Sequence, residues 1–195
     1  KVLVSEFLST IVTLADDVKF QLEFNPNYIK GYRKIGYENR NMADSDFNDD
    51  TKDGGEIGYG HEVTVVYEII PTTSEMEVPG SDLKYQENTP IDTEIKDWLT
   101  VSIRYKDHGT DESQLIEYIV DDTHFKDTPT TDWKYISNVV GLGLIVNGSE
   151  YKGDLTLTQI IKNLNALELD DEFKKEFLGL TICYKHYLEN ILSDN

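Results

Sequence analysis

Val18-Lys19-Phe20-Gln21-Leu22-Glu23-Phe24 alternates apolar and polar residues at every step. Side chains on a strand point to opposite faces in turn, so this period of two predicts a half-buried β-strand, ended by Asn25-Pro26. The same alternation returns at Leu99, Val101, Ile103 and Tyr105, with Thr100, Ser102 and Arg104 between them. Lys106 to Asp111, with Gly109 inside, supplies a turn, and Ser113 to Val120 supplies the returning strand of a hairpin. Val63, Val65, Tyr67 and Ile69 predict a strand over His61 to Ile70, closed by Pro71; Tyr32 to Arg40 predicts a weaker one. Asn41 to Gly60 is polar, acidic and glycine-bearing, hence a loop. Pro71 to Asp97 has little periodicity, and a short strand is expected at Leu83-Lys84-Tyr85-Gln86.

Outside this region the apolar spacing changes to three and four. Val4, Phe7, Leu8, Ile11, Val12 and Ala15 predict a helix over 1–15, interrupted by too many polar residues for a signal peptide. From Thr131, the stripe Trp133, Ile136, Val140 and Leu144 predicts a helix stopped by Gly148. Thr156-Leu157-Thr158-Gln159 is a capping box, after which Ile160, Ile161 and Leu164 face inward. Asp170-Asp171-Glu172 places acids where a helix dipole favours them. Phe173, Phe177, Leu180, Tyr184, Tyr187 and Ile191 then predict the buried face of a last helix, with Cys183 packed beside it. Strands followed by helices mean α+β: an antiparallel β-sandwich-like sheet, an N-terminal helix and a C-terminal three-helix bundle. The boundaries expected are 1–15, 16–130 and 131–195, forming one compact unit.

The chain has 195 residues, with 18 basic against 37 acidic side chains and a net charge of −19. The excess is spread evenly along the chain. A phosphate-backbone binder needs a basic face, so nucleic acid is not an expected partner. Docking on anionic lipid is disfavoured for the same reason. One cysteine excludes an internal disulfide and a multi-thiolate zinc site. No apolar run approaches the ~20 residues of a spanning helix. The chain begins with Lys1 rather than Met, as expected of a processed or excised piece.

Asp44 to Glu56 holds six carboxylates and one lysine. Calcium takes six to eight hard oxygens, so Asp46, Asn48, Asp50, Asp53 and Glu56 are candidate ligands. Asp46, Asn48 and Asp50 have the first three spacings of an EF-hand loop. Thr51 then stands where that loop needs Gly, and Ile57 where it needs Glu, so any site is irregular. The alternative is a solvated turn in which Asp and Asn accept from their own backbone. No serine sits in a Gly-x-Ser-x-Gly elbow. His61 and Glu62 point to opposite faces of a strand and form no dyad. Gly58-Tyr59-Gly60-His61 precedes a strand, whereas phosphate cradles precede a helix. No catalytic residue is expected.

Ala15 to Pro26, Tyr32 to Arg40, Asp46-Phe47-Asn48-Asp49-Asp50, Gly55 to Thr64 and Tyr67-Glu68-Ile69 together form a distinctive series. Val101 to Lys106 and Asp111-Glu112-Ser113 continue it. The series resembles the C-terminal domain, of unassigned activity, of bacterial von Willebrand factor type A proteins of the YfbK kind. The resemblance implies an upstream A domain, for which residues 1–15 would be the helical joint. It also implies a location at the bacterial cell envelope or outside the cell. The function expected is a non-enzymatic accessory domain in protein–protein interaction or adhesion, with Tyr37, Tyr59 and His61 as contact residues for an unknown protein partner and for the A domain of the same chain. The alternative is a calcium module at 44–56; a hydrolase using acidic residues of the sheet ranks third. No cofactor is expected other than calcium on that alternative.

Overall fold

A computed structural model describes residues 12–37, 42–78 and 95–193. Among these residues there are six strands: β1 (Thr13–Phe24), β2 (Ile29–Ile35), β3 (Gly55–Gly58), β4 (Val66–Pro71), β5 (Leu99–Asp107) and β6 (Ser113–Val120). Three helices follow: α1 (Thr131–Val146), α2 (Leu157–Asn165) and α3 (Glu172–Ser193). The architecture is α+β with antiparallel sheets, as the periodicities predict. The chain divides into two compact units, Lys1–Phe125 and Lys126–Asn195.

In the first unit, a four-stranded sheet has the order β3-β1-β5-β6, and β2 and β4 pair as a separate two-stranded sheet. All pairings are antiparallel. The β5–β6 hairpin is where its alternation put it, in unbroken register from Leu99↔Val120 to Lys106↔Ser113. The Phe24 ring stacks on Tyr32 at 3.9 Å and meets Tyr67 at 5.6 Å, which ties the end of β1 to the smaller sheet. Val18, Ile29 and Phe47 are its buried apolar residues.

Several expectations are corrected. Thr13, Leu14 and Ala15 belong to β1, so the expected N-terminal helix does not reach them; its residues 1–11 lie outside the described residues. Val12 to Ala15 also fits a strand, and pairing to β3 and β5 decides it. His61 to Val65 has no regular structure, and only Val66 onward pairs with β2. The acidic loop contains β3, whose four residues lacked a readable period. β2 ends at Ile35; residues 38–40 of its expected extension and the Leu83–Gln86 strand lie outside the described residues.

In the second unit, α2 packs against both α1 and α3. Ile160 and Leu164 of α2 are fully buried. The capping box forms as read: the Gln159 backbone donates to the Thr156 hydroxyl at 3.2 Å, and the Thr156 backbone donates to the Gln159 side chain at 2.8 Å. Gly148 ends α1 at φ 61°, where the Gly148 and Ser149 amides donate to Ile145 and Leu144. These two bonds are a Schellman stop. The inward face of α3 is rotated from the one expected. Its buried line runs through Thr181, which is fully buried and donates to the Phe177 carbonyl at 2.9 Å. Phe173, Leu180, Tyr187 and Ile191 are exposed, and so is Cys183.

Candidate functional site

Two acidic residues in sequence, Asp16 and Asp17, break the alternation of β1. The register to β5 slips between Asp16 and Lys19, and the register to β3 slips between Ala15 and Val18. The result is a bulge in an interior strand, with Asp17 in the left-handed region at φ 52°. A bulge re-aims a side chain, and left-handed backbone is costly for a residue with a Cβ, although Asp tolerates it better than most.

The re-aimed Asp17 carboxylate holds three donors. Lys106 Nζ lies 3.1 Å from one oxygen. Lys19 Nζ lies 3.2 Å from the other, and the Gly54 amide donates to that oxygen at 2.7 Å. Lys19 is only 2 % exposed, and its ammonium also donates to the Asp49 carbonyl at 2.8 Å. Burial pushes the Asp17 carboxyl up, but the Lys106 and Lys19 hydrogen bonds outweigh it and leave its pKa below the usual value. The acidic loop is thereby fastened to β1. From the same face of the sheet, Arg104 Nη2 lies 3.1 Å from Asp50, and the Ser113 hydroxyl donates to Asp50 at 2.8 Å. The Ser113 bond, with Arg104 behind it, lowers the Asp50 pKa. Asp49 caps its own turn by accepting from the Thr51 amide and hydroxyl. An open cleft of about 240 Å³ remains between the bulge and the loop, lined by Asp16, Asp17, Asp50, Lys52, Asp53, Glu56 and Lys106 among others.

Of the candidate calcium ligands, Asp50, Asp53 and Glu56 line this cleft, and Asp46 and Asn48 do not. Asp46 lies in a 3-10 turn, Asn48 and Asp53 are exposed, Glu56 is on β3, and Asp50 is committed to Arg104 and Ser113. Among the described residues, no three acidic, histidine or cysteine side chains converge on a point that could hold a metal ion. Tyr37 follows β2 in the smaller sheet at φ 59° and is exposed. Tyr59 follows β3 in the larger sheet, exposed, with its amide donating to the Val12 carbonyl. His61 is exposed in the turn after it. The three do not share one element. The residues that organise the loop, Asp17, Lys19, Arg104 and Lys106, were not singled out from sequence. The signal for them was the paired acid Asp16-Asp17 inside an otherwise strict alternation.

One contact chain has the form of an acid–base relay. His124 Nε2 lies 2.7 Å from the Tyr118 hydroxyl, and His124 Nδ1 lies 2.9 Å from Asp121. Of these atoms, His124 Nδ1 and the Asp121 carboxylate also close the cap of the 3-10 turn Asp122–His124, which gives that half of the chain a structural task.

The second feature is a sheet face. Across β1, β5 and β6 the rows Phe20–Ile103–Ile116, Leu22–Val101–Tyr118 and Phe24–Leu99–Val120 lie side by side and are wholly apolar. The opposite face carries Lys19–Arg104–Leu115, Gln21–Ser102–Glu117 and Glu23–Thr100–Ile119. Phe24 is covered by the aromatic rings of the smaller sheet. Away from that end Phe20 is 46 % exposed, Ile116 49 % and Tyr118 55 %. Phe20, Ile116 and Tyr118 thus leave an open apolar patch on this face of the sheet.

Among the described residues no helix is long and apolar enough to cross a membrane. No solved structure matches the chain. A curated relative, "Uncharacterized protein YfbK" of Escherichia coli strain K12, is 32 % identical over 184 residues; the match covers 92 % of this chain and 31 % of the relative. The chain thus spans about a third of that relative's length. Residues 9–186 match the family described as "Uncharacterized protein YfbK, C-terminal", and the chain belongs to that family.

Proposed function

We propose that this chain is a non-enzymatic accessory domain that binds protein partners beside a von Willebrand factor A domain of the same longer protein, at the bacterial cell envelope. The observation that carries the reading is the open apolar patch of Phe20, Ile116 and Tyr118 on the four-stranded sheet, where large exposed apolar surface suits a partner. The relative extends well beyond the matched region, which leaves room for a further domain to act with this one. The charged groups of the bulge and loop serve one another: Asp17 is neutralised by two lysines, and Asp50 by an arginine. That arrangement favours a structural fastening over acid–base chemistry, which needs a group held poised for substrate. Tyr37, Tyr59 and His61 are exposed and supply further candidate contacts.

Isothermal titration of the chain against the von Willebrand factor A portion of its longer protein tests the reading. Phe20→Gln should weaken binding about tenfold, the effect of ~1.4 kcal/mol of lost apolar burial. Joint replacement of Tyr37 and Tyr59 by Ser tests their share. Absence of binding, or an affinity indifferent to Phe20→Gln, would refute the proposal.

A further inference from the structure

The two edges of the four-stranded sheet are built differently. β3, at one edge, has four residues and meets β1 through two register slips. Short, irregular edges are how proteins discourage further strand pairing. β6, at the other edge, has eight residues in unbroken register with β5. It contains no proline, lysine or arginine. Leu115 and Ile119 on one face, and Ile116 and Tyr118 on the other, are each about half exposed. Among the described residues β6 has a strand on one side only, so every second residue presents its backbone N–H and C=O outward. Among the described residues no proline, bulge or covering strand protects this edge, and Glu117 is the one charge within it.

Charge decides what fits it. Asp111 and Glu112 precede β6, Glu117 lies within it, and Asp121 and Asp122 follow it. A second copy pairing antiparallel through the same edge must oppose residues of like parity, because only every second residue faces outward. Centred on Ile116 it sets Asp111 against Asp121 at both ends; centred on Glu117 it sets Glu112 against Asp122 at both ends and Glu117 against its own copy. Like charges directly opposite one another are destabilising, so self-pairing is disfavoured in both registers. Basic residues at the same places would be attracted. We propose that the outer edge of β6 accepts an extended strand from a partner protein, with aliphatic residues in alternation and lysine or arginine at both ends. The partner's backbone completes the ladder, its aliphatic side chains cover Leu115, Ile116, Tyr118 and Ile119, and its basic ends meet the acidic flanks. The inference rests on the interaction reading above and assigns it a site and a partner chemistry.

The test uses the 195-residue chain and fluorescent peptides of valine alternating with threonine. One peptide carries two lysines at each end, and a second carries two glutamates at each end. The lysine-ended peptide should bind at least about tenfold more tightly at low salt, since its basic ends face acidic flanks that the glutamate ends would repel. Leu115→Lys with Ile119→Lys should abolish that binding. Asp111→Lys with Glu112→Lys, both in an exposed turn, should narrow or reverse the preference without touching the strand. Equal binding of both peptides, no binding of either, or full binding by the Leu115→Lys, Ile119→Lys variant would overturn the proposal. So would dimerisation of the chain that the same double variant abolishes. Phe20→Gln separates the two readings, because Phe20 lies on β1, two strands from the edge. If it weakens A-domain binding while the peptides fail, the interaction reading stands and the edge assignment falls.

Discussion

Asp17 is the residue on which the first unit turns, because its carboxylate is the main counter-charge for a buried ammonium. Its side chain is 10 % exposed and that of Lys19 is not exposed at all. Removing one partner of a buried pair leaves the other charge uncompensated, at a cost of about 3–5 kcal/mol. Asp17→Ala should therefore lower the unfolding free energy measured by urea denaturation by that amount, while Lys19→Met, which removes the buried charge itself, should cost less. Backbone adds a second discrimination. At φ 52° Asn is tolerated and a β-branched residue is not, so Asp17→Asn should be milder than Asp17→Val. Acid gives a third. The Asp17 pKa is lowered in the folded state, so its stabilisation is present above the unfolded value near 3.9 and is lost as pH falls through the folded one. The stability gap between wild type and Asp17→Asn should be full at pH 6 and close below about pH 4. A gap that persists at pH 2 would mean that the carboxylate charge is not what Asp17 contributes.

At the scale of elements, the acidic loop meets the β1 bulge backbone to backbone. A Cβ on Gly54 would lie 2.8 Å from the Asp17 carbonyl carbon and 2.8 Å from the Val18 oxygen, neither of which can rotate away. Gly54→Ala should cost roughly 1–3 kcal/mol and detach the loop, read as faster amide exchange at Thr51 and Gly54. Thr156→Ala should cost about 1 kcal/mol by opening the capping box of α2. These two sites also show what the sequence discloses. The capping box and the β5–β6 hairpin were legible because local hydrogen bonding and alternation specify them. The bulge was legible only as a defect, since its pairing partners Lys106 and Gly54 are distant in sequence. The face of α3 was misread because Thr181 lies about 80° around the helix from the centre of the stripe Phe173, Phe177, Leu180, Tyr184, Tyr187 and Ile191. α2 packs against α3, and Tyr135 of α1 meets Phe177 at 5.6 Å; such long-range packing, which periodicity does not carry, decides the buried face. His61 to Val65 alternates well and yet stays unpaired, because a strand also needs a neighbour.

At the scale of the whole molecule, 37 acidic and 18 basic side chains leave at least 19 carboxylates without a cationic partner however the pairs are drawn. Salt has two opposed effects on such a chain. It weakens exposed pairs such as Lys175–Glu172 and Lys185–Glu189, each worth under about 1 kcal/mol. It also screens repulsion among all the unpaired acids over distances beyond ~8 Å at physiological ionic strength. The repulsive set outnumbers the attractive one, and the most buried pair, Asp17 with Lys19, is screened least. The melting temperature should therefore rise as sodium chloride increases from 20 to roughly 500 mM. Calcium chloride at matched ionic strength separates screening from ligation. A native-state site would add stability as RT ln(1 + [L]/Kd), so a micromolar site would give several kcal/mol at millimolar calcium. With Asp50 committed to Arg104 and Asp17 to Lys19 and Lys106 in the same cleft, the two salts should give the same curve; an added rise with calcium that Asp53→Asn with Glu56→Gln removes would restore the loop as a metal site.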